Sequence, residues 1–144
     1  MPKVDNEVII NASVGEIFNF ISRPSKLQQI WPSFIEITHE KLLANGGYSY
    51  RWKYKMAGIF FTGIGECIDL QPDRLLLSKN IGDFDSTVKF TFQSTSIRTR
   101  ITLAIDYKVP LSRLGPFTEN MILKMNNKEA GLILDNLRII FEET

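Results

Sequence analysis

Two carboxylates stand among apolar neighbours. Glu66 alternates with Ile64, Ile68 and Leu70, so an extended strand places it on their face, and Glu129 falls in the middle of an apolar helical arc near the C-terminus. A carboxylate in an apolar cavity loses solvation. Its pKa then rises, which suits it to act as a general acid or base, or to donate a hydrogen bond to a ligand carbonyl. Such pairs serve dehydration or enolisation. The plainer roles are a barrel mouth or a tyrosine-bonded position for Glu66, and a helix edge for Glu129. Asn126 and Asn136 interrupt the same arc and offer amides to a polar ligand head; buried amides need partners in either role.

Other chemistry is poorly equipped. The single histidine, His39, shares a face with Ile35 and Ile37, and zinc wants three or four ligands that one His and one Cys do not supply. No metal site is expected. Cys67 follows the phase of Gly63 and Gly65, away from the Glu66 face, so a Cys–His nucleophile pair is not expected and Cys67 receives no role. GIGE at Gly63 to Glu66 lacks the remaining glycine and the strand-to-helix setting of a dinucleotide loop, and no cofactor is expected.

These residues need elements to position them. Tyr48, Tyr50, Trp52, Tyr54 and Met56 occupy alternate positions, with Ser49, Arg51, Lys53 and Lys55 between them, which predicts a strand with one large apolar face. Arg51, Lys53 and Lys55, extended by Arg98 and Arg100, form a basic stripe on the other face. The aromatics point away from it, so base stacking is not supported and a solvated outer face is the expectation, without nucleic acid as partner. Turn signals at Gly46 and Gly47, Ala57 and Gly58, Pro72 and Asp73, Gly82 and Asp83, and Ser94 to Ser96 separate further strands, including one carrying Phe84, Val88, Phe90 and Phe92 and a last one carrying Ile97, Ile101, Leu103, Ile105 and Tyr107. With Val8 to Ile10 and the Ile35 and Ile37 segment, seven strands are predicted. Ser13 and Glu16 have the spacing of a capping box before a short helix whose inner face carries Val14, Ile17, Phe18 and Ile21, and Lys26 to Ile30 add another turn. After the Gly115 and Pro116 pair, the period changes to helical, with Met121, Ile122, Met125, Leu132, Ile133, Leu137 and Ile140 in one arc opposite Lys124, Lys128, Asp135, Arg138 and Glu142.

This inventory predicts a hollow. A helix from Thr118 to Phe141 is roughly 36 Å long and about 10 to 12 Å thick, whereas seven strands span roughly 34 Å. The sheet must curl around the helix, with Gly63 and Gly65 as the places where bending costs least packing. A curved sheet gripping one helix leaves an enclosed space suited to small ligands. The alternative is that the same aromatics fill a dry core. Pro110 to Pro116, with Leu111, Leu114 and Phe117 nearby, has the character of a gate over the cavity mouth or of a helix entry loop.

Composition narrows the class. The 144 residues are 44% hydrophobic and 23% charged with a formal net charge of +1, which fits one self-sufficient domain with no global field to attract nucleic acid or an anionic membrane. One cysteine allows no internal disulfide, Met1 to Asn6 carry no secretory pattern, and no apolar run spans a bilayer, which points to a cytoplasmic protein and not an integral membrane protein.

The order strand, short helices, six strands and long C-terminal helix, with VIINASVGEIFNFI at Val8 to Ile21, resembles the START-related helix-grip (SRPBCC) superfamily, whose members include polyketide cyclases and lipid carriers. WPSF at Trp31 to Phe34, GGYSYRWKYKMAG at Gly46 to Gly58 and DYKVPLSRLG at Asp106 to Gly115 look like its polyketide cyclase/dehydrase and lipid-transport family. The resemblance covers nearly the whole chain, and its motifs mark turns and core faces. It implies an α+β helix-grip fold, a seven-stranded curved antiparallel sheet wrapped around a long C-terminal helix with two short helices after strand 1, as a single domain over residues 1–144. It also implies an apolar ligand held between sheet and final helix. No catalytic motif of the aromatase or cyclase enzymes is recognisable, so no catalytic residue is carried over.

The expected function is therefore binding or carriage of a small hydrophobic molecule, lipid-, polyketide- or quinone-like. The expected lining comprises Tyr48, Tyr50, Trp52, Tyr54, Ile64, Glu66, Phe90, Phe92, Leu103, Ile105, Tyr107, Met121, Ile122, Met125 and Glu129. A cyclase or dehydratase using Glu66 or Glu129 is the first alternative. A module that docks a protein partner on its basic sheet face or its Pro110 loop is the second.

Overall fold

A computed structural model describes residues 3–95, 97–108 and 110–142, without the side chain of Leu111. Ser96 of the last expected turn and the Leu111 side chain of the proposed gate lie outside the described residues. The strands are β1 (Lys3–Ile10), β2 (Phe34–Leu42), β3 (Tyr48–Met56), β4 (Ile59–Gln71), β5 (Leu75–Gly82), β6 (Ser86–Thr95) and β7 (Arg98–Tyr107). They form one antiparallel sheet in the order β1-β7-β6-β5-β4-β3-β2, in which β2 to β7 follow one another as hairpins and β1 closes beside β7. Helices α1 (Val14–Ser22) and α2 (Pro24–Ile30) separate β1 from β2, and α3 (Glu119–Glu142) follows the sheet. This is the curved-sheet helix-grip arrangement. Among the described residues no helix is long and apolar enough to cross a membrane.

Local chemistry accounts for these elements. Tyr50, Trp52, Tyr54 and Met56 of β3 are buried while Arg51 and Lys55 are exposed, as period-two alternation requires. Ala57 and Gly58 both take positive φ (52° and 80°), the two-residue turn whose twist matches the strands it joins. In α1, Ile17, Phe18 and Ile21 face the core. Ser13 is its N-cap but makes no side-chain capping bond, so the expected capping box is not formed.

Three expected faces are corrected. In β4 the inward positions are Phe61, Gly63, Gly65 and Cys67; Glu66 is exposed, and Ile64 and Ile68 are 56% and 46% exposed. The reason lies across the strand pair. Trp52 stands opposite Gly63 and Tyr50 opposite Gly65, and a Cβ on either glycine would fall 2.2 Å from Trp52 Cζ2 or 2.3 Å from Tyr50 Cζ. The large rings of β3 fill the inner face over the glycines, and the isoleucines of β4 are left outside.

In β2, register shifts between Phe34 and Glu36 and between Thr38 and Lys41 break the simple alternation. Ile35 is 43% exposed, Ile37 is half-buried opposite Trp52, and His39 is exposed at φ 55°, so the three do not share a face. In α3 the inward residues are Ile122, Ala130, Ile133, Leu134 and Leu137. Met121, Met125 and Leu132 are 47%, 41% and 46% exposed, beside Lys128 and Asp135 instead of opposite them. Neighbouring apolar stripes merged into one arc by composition are separated by packing.

Four polar links pin α3 in the trough. Asn126 Nδ2 donates to Tyr107 Oη at 2.8 Å, Asn136 Nδ2 donates to the Ile30 carbonyl at 3.1 Å, and Glu142 Oε2 accepts from Asn11 N–H at 2.8 Å. The fourth involves Glu129.

Candidate functional site

A cavity of about 40 Å³ lies between α3 and the inner face of the sheet. Trp52, Tyr54 and Met56 of β3, Val88 of β6 and Ile105 and Tyr107 of β7 supply its sheet side; Asn126, Glu129 and Ile133 supply the α3 side. Trp31, from the segment that joins α2 to β2, Phe34, at the start of β2, and Phe84, just before β6, close it. A second space of about 20 Å³ is lined by Tyr48, Tyr50, Cys67, Leu76 and Phe90 beneath α1 and α2. Trp31, Phe34 and Val88 border both and form the partition. Together these voids have room for a few waters, far less than the roughly 300 to 1,000 Å³ of a ligand site.

The walls are mainly rings. Phe84 packs against Trp52, Tyr54 and Phe61 with centroids 5.3, 5.6 and 5.4 Å apart, and Phe34 stands edge-on to Trp31 and Tyr54 at 5.0 Å each. Against this apolar background the polar groups are few. Glu129, half-buried on α3, accepts at Oε1 from Trp31 Nε1–H (3.0 Å) and Tyr54 Oη–H (3.1 Å), and at Oε2 from the Ser33 hydroxyl. Three donors from two other elements converge on one carboxylate, which holds its charge in place and ties α3 to β3 and to the α2–β2 segment. Glu129 also borders a surface groove beside Met125 and Leu132, so it stands between the cavity and the outside.

Burial, reinforced by the Glu129 charge, holds the Tyr54 phenol well above its ordinary pKa. Burial likewise raises Tyr50 and Tyr107. A second polar chain runs from Tyr50 Oη–H to Asn80 Oδ1 (3.3 Å) and from Asn80 Nδ2 to Ser86 Oγ (3.2 Å), with Asn80 and Ser86 both in the cavity wall. Trp52 Nε1 is buried with no hydrogen-bond partner among the described residues. An unsatisfied indole donor costs about 1 to 3 kcal/mol, and Trp52 forms part of the same wall.

The expected lining residues divide accordingly. Trp52, Tyr54, Ile105, Tyr107 and Glu129 meet at the larger cavity, and Tyr48, Tyr50 and Phe90 at the smaller. Phe92 and Leu103 are buried in the core, Phe92 against Phe18 at 5.2 Å, and Ile122 is buried on α3, but none of them borders either space. Ile64 and Glu66 lie on the outer sheet face and Met121 and Met125 on the outer helix face, so these four do not meet the cavity. Cys67 faces inward, its thiol pushed up by burial. Asn136 serves the Ile30 carbonyl instead of the cavity.

Trp31, Ser33, Phe34, Asn80, Phe84 and Ser86 were missing from the expected site. Asn80 shares the phase of the buried Leu76 in β5, and that alternation is what turns it inward. Phe84 shares the phase of Val88, Phe90 and Phe92, but it stands in the loop before β6 and not in the strand expected to carry it.

The expected gate segment contains a 3₁₀ turn (Leu111–Arg113), the fully buried Leu114 and the half-buried Phe117. Arg113 fastens it to the sheet by donating to the Phe60 carbonyl at 2.9 Å, pairing with Asp83 at 3.1 Å and lying over the Phe61 ring at 4.5 Å. The Thr62 N–H, opposed by burial and aided by Arg113, holds the Asp83 carboxyl below its ordinary value.

Comparison with solved structures finds the same architecture at low identity. A START superfamily protein from Mycobacterium smegmatis superposes with a TM-score of 0.80 at 17% identity, over 98% of this chain and 97% of that one. The di-domain ARO/CYC StfQ of the steffimycin biosynthetic pathway gives 0.76 at 13% identity, with 99% of this chain covering 51% of that chain. The Aha1 dimer from Colwellia psychrerythraea gives 0.68 at 14%, over 99% and 97%. Comparison with curated proteins gives no match. The model for polyketide cyclase/dehydrase and lipid transport matches residues 1–142, and the chain belongs to that family.

Proposed function

We propose that this chain binds a compact, largely apolar molecule in the space between the sheet and α3, with an acceptor atom of that molecule engaging the indole N–H of Trp52. The observation that carries the reading is that unpartnered buried donor in the wall of a ring-lined cavity. The resting volume of about 40 Å³ does not admit such a molecule, so binding requires the wall to move. Two routes are at hand: rotamer changes at Trp31, Phe34 or Val88 would merge the two spaces, and release of the Arg113 fastening would free the segment before α3.

The test is native mass spectrometry of the protein with a panel containing a fatty acid, a ubiquinone analogue and an anthraquinone. One molecule per chain is expected, and Trp52→Phe should weaken the bound members, each of which carries a carbonyl or carboxylate acceptor, roughly three- to tenfold, the worth of one hydrogen bond. A folded protein that binds no member defeats the proposal.

A second reading has Glu129 moving protons in a cyclase- or dehydratase-type reaction. It rests on the carboxylate lining the cavity 3.1 Å from the Tyr54 phenol; Glu66, on the outer face, has no part in it. Glu129→Gln should then abolish turnover of a poly-β-ketone substrate and leave its binding intact, and unchanged turnover would reject this reading.

A further inference from the structure

The outward side of α3 carries an apolar stripe that the sheet does not use. Met121, Met125, Leu132 and Ile139 are each between 41% and 49% exposed, and with Lys128 and Asp135 they follow alternating steps of four and three residues. That is the spacing of a coiled-coil seam, with Met125, Leu132 and Ile139 at a and Met121, Lys128 and Asp135 at d. A helix packed on one sheet needs one apolar face, and α3 has two, the second running along a groove lined in part by Met125, Lys128, Leu132 and Asp135.

We propose that this face pairs with the same face of a second copy of the chain, the two α3 helices running antiparallel about a two-fold axis level with residue 130. In that register each a position meets a d position: Met125 faces Asp135, Leu132 faces Lys128 and Ile139 faces Met121 of the second copy. Lys128 then stands one layer from Asp135 of the second copy, about 4.5 Å along the axis, and the two-fold makes two such pairs.

The charges select the direction. Parallel helices would stack Lys128 on Lys128 and Asp135 on Asp135, which like-charge repulsion disfavours. Among the described residues of its own chain Asp135 pairs only with the exposed Arg138, 3.6 Å away, a weak surface contact that a new partner readily replaces. An anionic lipid surface would call for cations alone along the seam, whereas this seam carries one acid, Asp135, for its one cation, Lys128.

Sedimentation equilibrium across a concentration series, with far-UV circular dichroism as the folding control, tests the pairing. The wild type should dimerise, and Leu132→Glu should leave a folded monomer. Lys128→Asp should weaken dimerisation by about tenfold by setting acid against acid, and adding Asp135→Lys to it should restore most of the loss. A wild type that stays monomeric, or a dimer that survives Leu132→Glu, overturns the proposal, and a charge-swapped double variant that fails to recover overturns the antiparallel register. Flotation of a monomeric wild type with phosphatidylserine vesicles, abolished by Leu132→Glu, would assign the stripe to a lipid surface instead and overturn the pairing.

Discussion

The indole of Trp52 occupies the space that a side chain at Gly63 would need, since a Cβ there would lie 2.2 Å from Trp52 Cζ2 and 2.6 Å from the Ile81 carbonyl oxygen. Neither neighbour yields cheaply: one is a buried ring held by Phe84, the other is backbone. Gly63→Ala should therefore destabilise the fold by about 1 to 3 kcal/mol through overpacking, read as a lower urea midpoint at constant m. Gly58→Ala makes a useful contrast, because nothing lies within 4 Å of a Cβ there and its cost is confined to the backbone strain of φ 80°.

The same contact decides which face of β4 turns inward. Period-two alternation locates β3 and its inner face correctly because large rings and cations alternate without interruption from Tyr50 to Lys55. In β4 both faces look similar: isoleucines on one, and phenylalanine, glycines and cysteine on the other. Hydrophobicity favours the isoleucines, but the choice is made by rings donated from the neighbouring strand, and single-strand patterns carry no such information. Glu66 was lost from the site for that reason. The α3 arc failed in a similar way, since two apolar stripes share one helix and only tertiary contact separates Met125 from Ile133. The existence, order and type of the elements were legible; the loop-borne Phe84 and the convergence of Trp31, Ser33 and Tyr54 on Glu129 depend on long-range contacts.

The buried phenols make the fold sensitive to alkali. Tyr50, Tyr54 and Tyr107 all have folded pKa values raised above the ordinary value near 10, chiefly by burial. A group raised in the folded state contributes stability that is fully present below its unfolded pKa and is lost as pH climbs from there towards the folded value. Stability should therefore hold up to about pH 10 and fall beyond it. Phenolate absorbance from the buried tyrosines should appear together with loss of far-UV dichroism, and Tyr54→Phe should make the decline shallower. Ionisation of all these phenols in a still-folded protein would contradict this.

Arg113 is the fastening of the segment that precedes α3. Arg113→Ala removes the bonds to the Phe60 carbonyl and Asp83 and the contact with the Phe61 ring, all on one side of the trough. Because the ion pair is exposed, global stability should fall by less than about 1 kcal/mol. The local effect should be larger: amide hydrogen exchange from residues 112 to 117 should quicken, and a lipophile captured by the protein should enter and leave faster with little change in affinity. Unaltered exchange in that segment would show that it is held by Leu114 and Phe117 alone.

Glu129 is the acceptor through which α3 is tied to β3 and to the α2–β2 segment. Trp31 Nε1–H can only donate, whereas the Tyr54 and Ser33 hydroxyls can turn to meet a new partner. Glu129→Gln replaces one carboxylate oxygen with an amide that needs acceptors, so the protein should lose about 1 to 3 kcal/mol. Trp31→Phe removes the one donor that cannot adapt. If the indole and the carboxylate act on each other as their 3.0 Å separation requires, the two losses will not add, and a double-mutant cycle by urea unfolding should return a coupling of about 0.5 to 3 kcal/mol. Additive losses would mean that Trp31 stabilises the fold through its packing on Phe34 and its 3.1 Å bond to the Tyr54 hydroxyl, and that Glu129 is free to exchange its donors for those of a bound molecule.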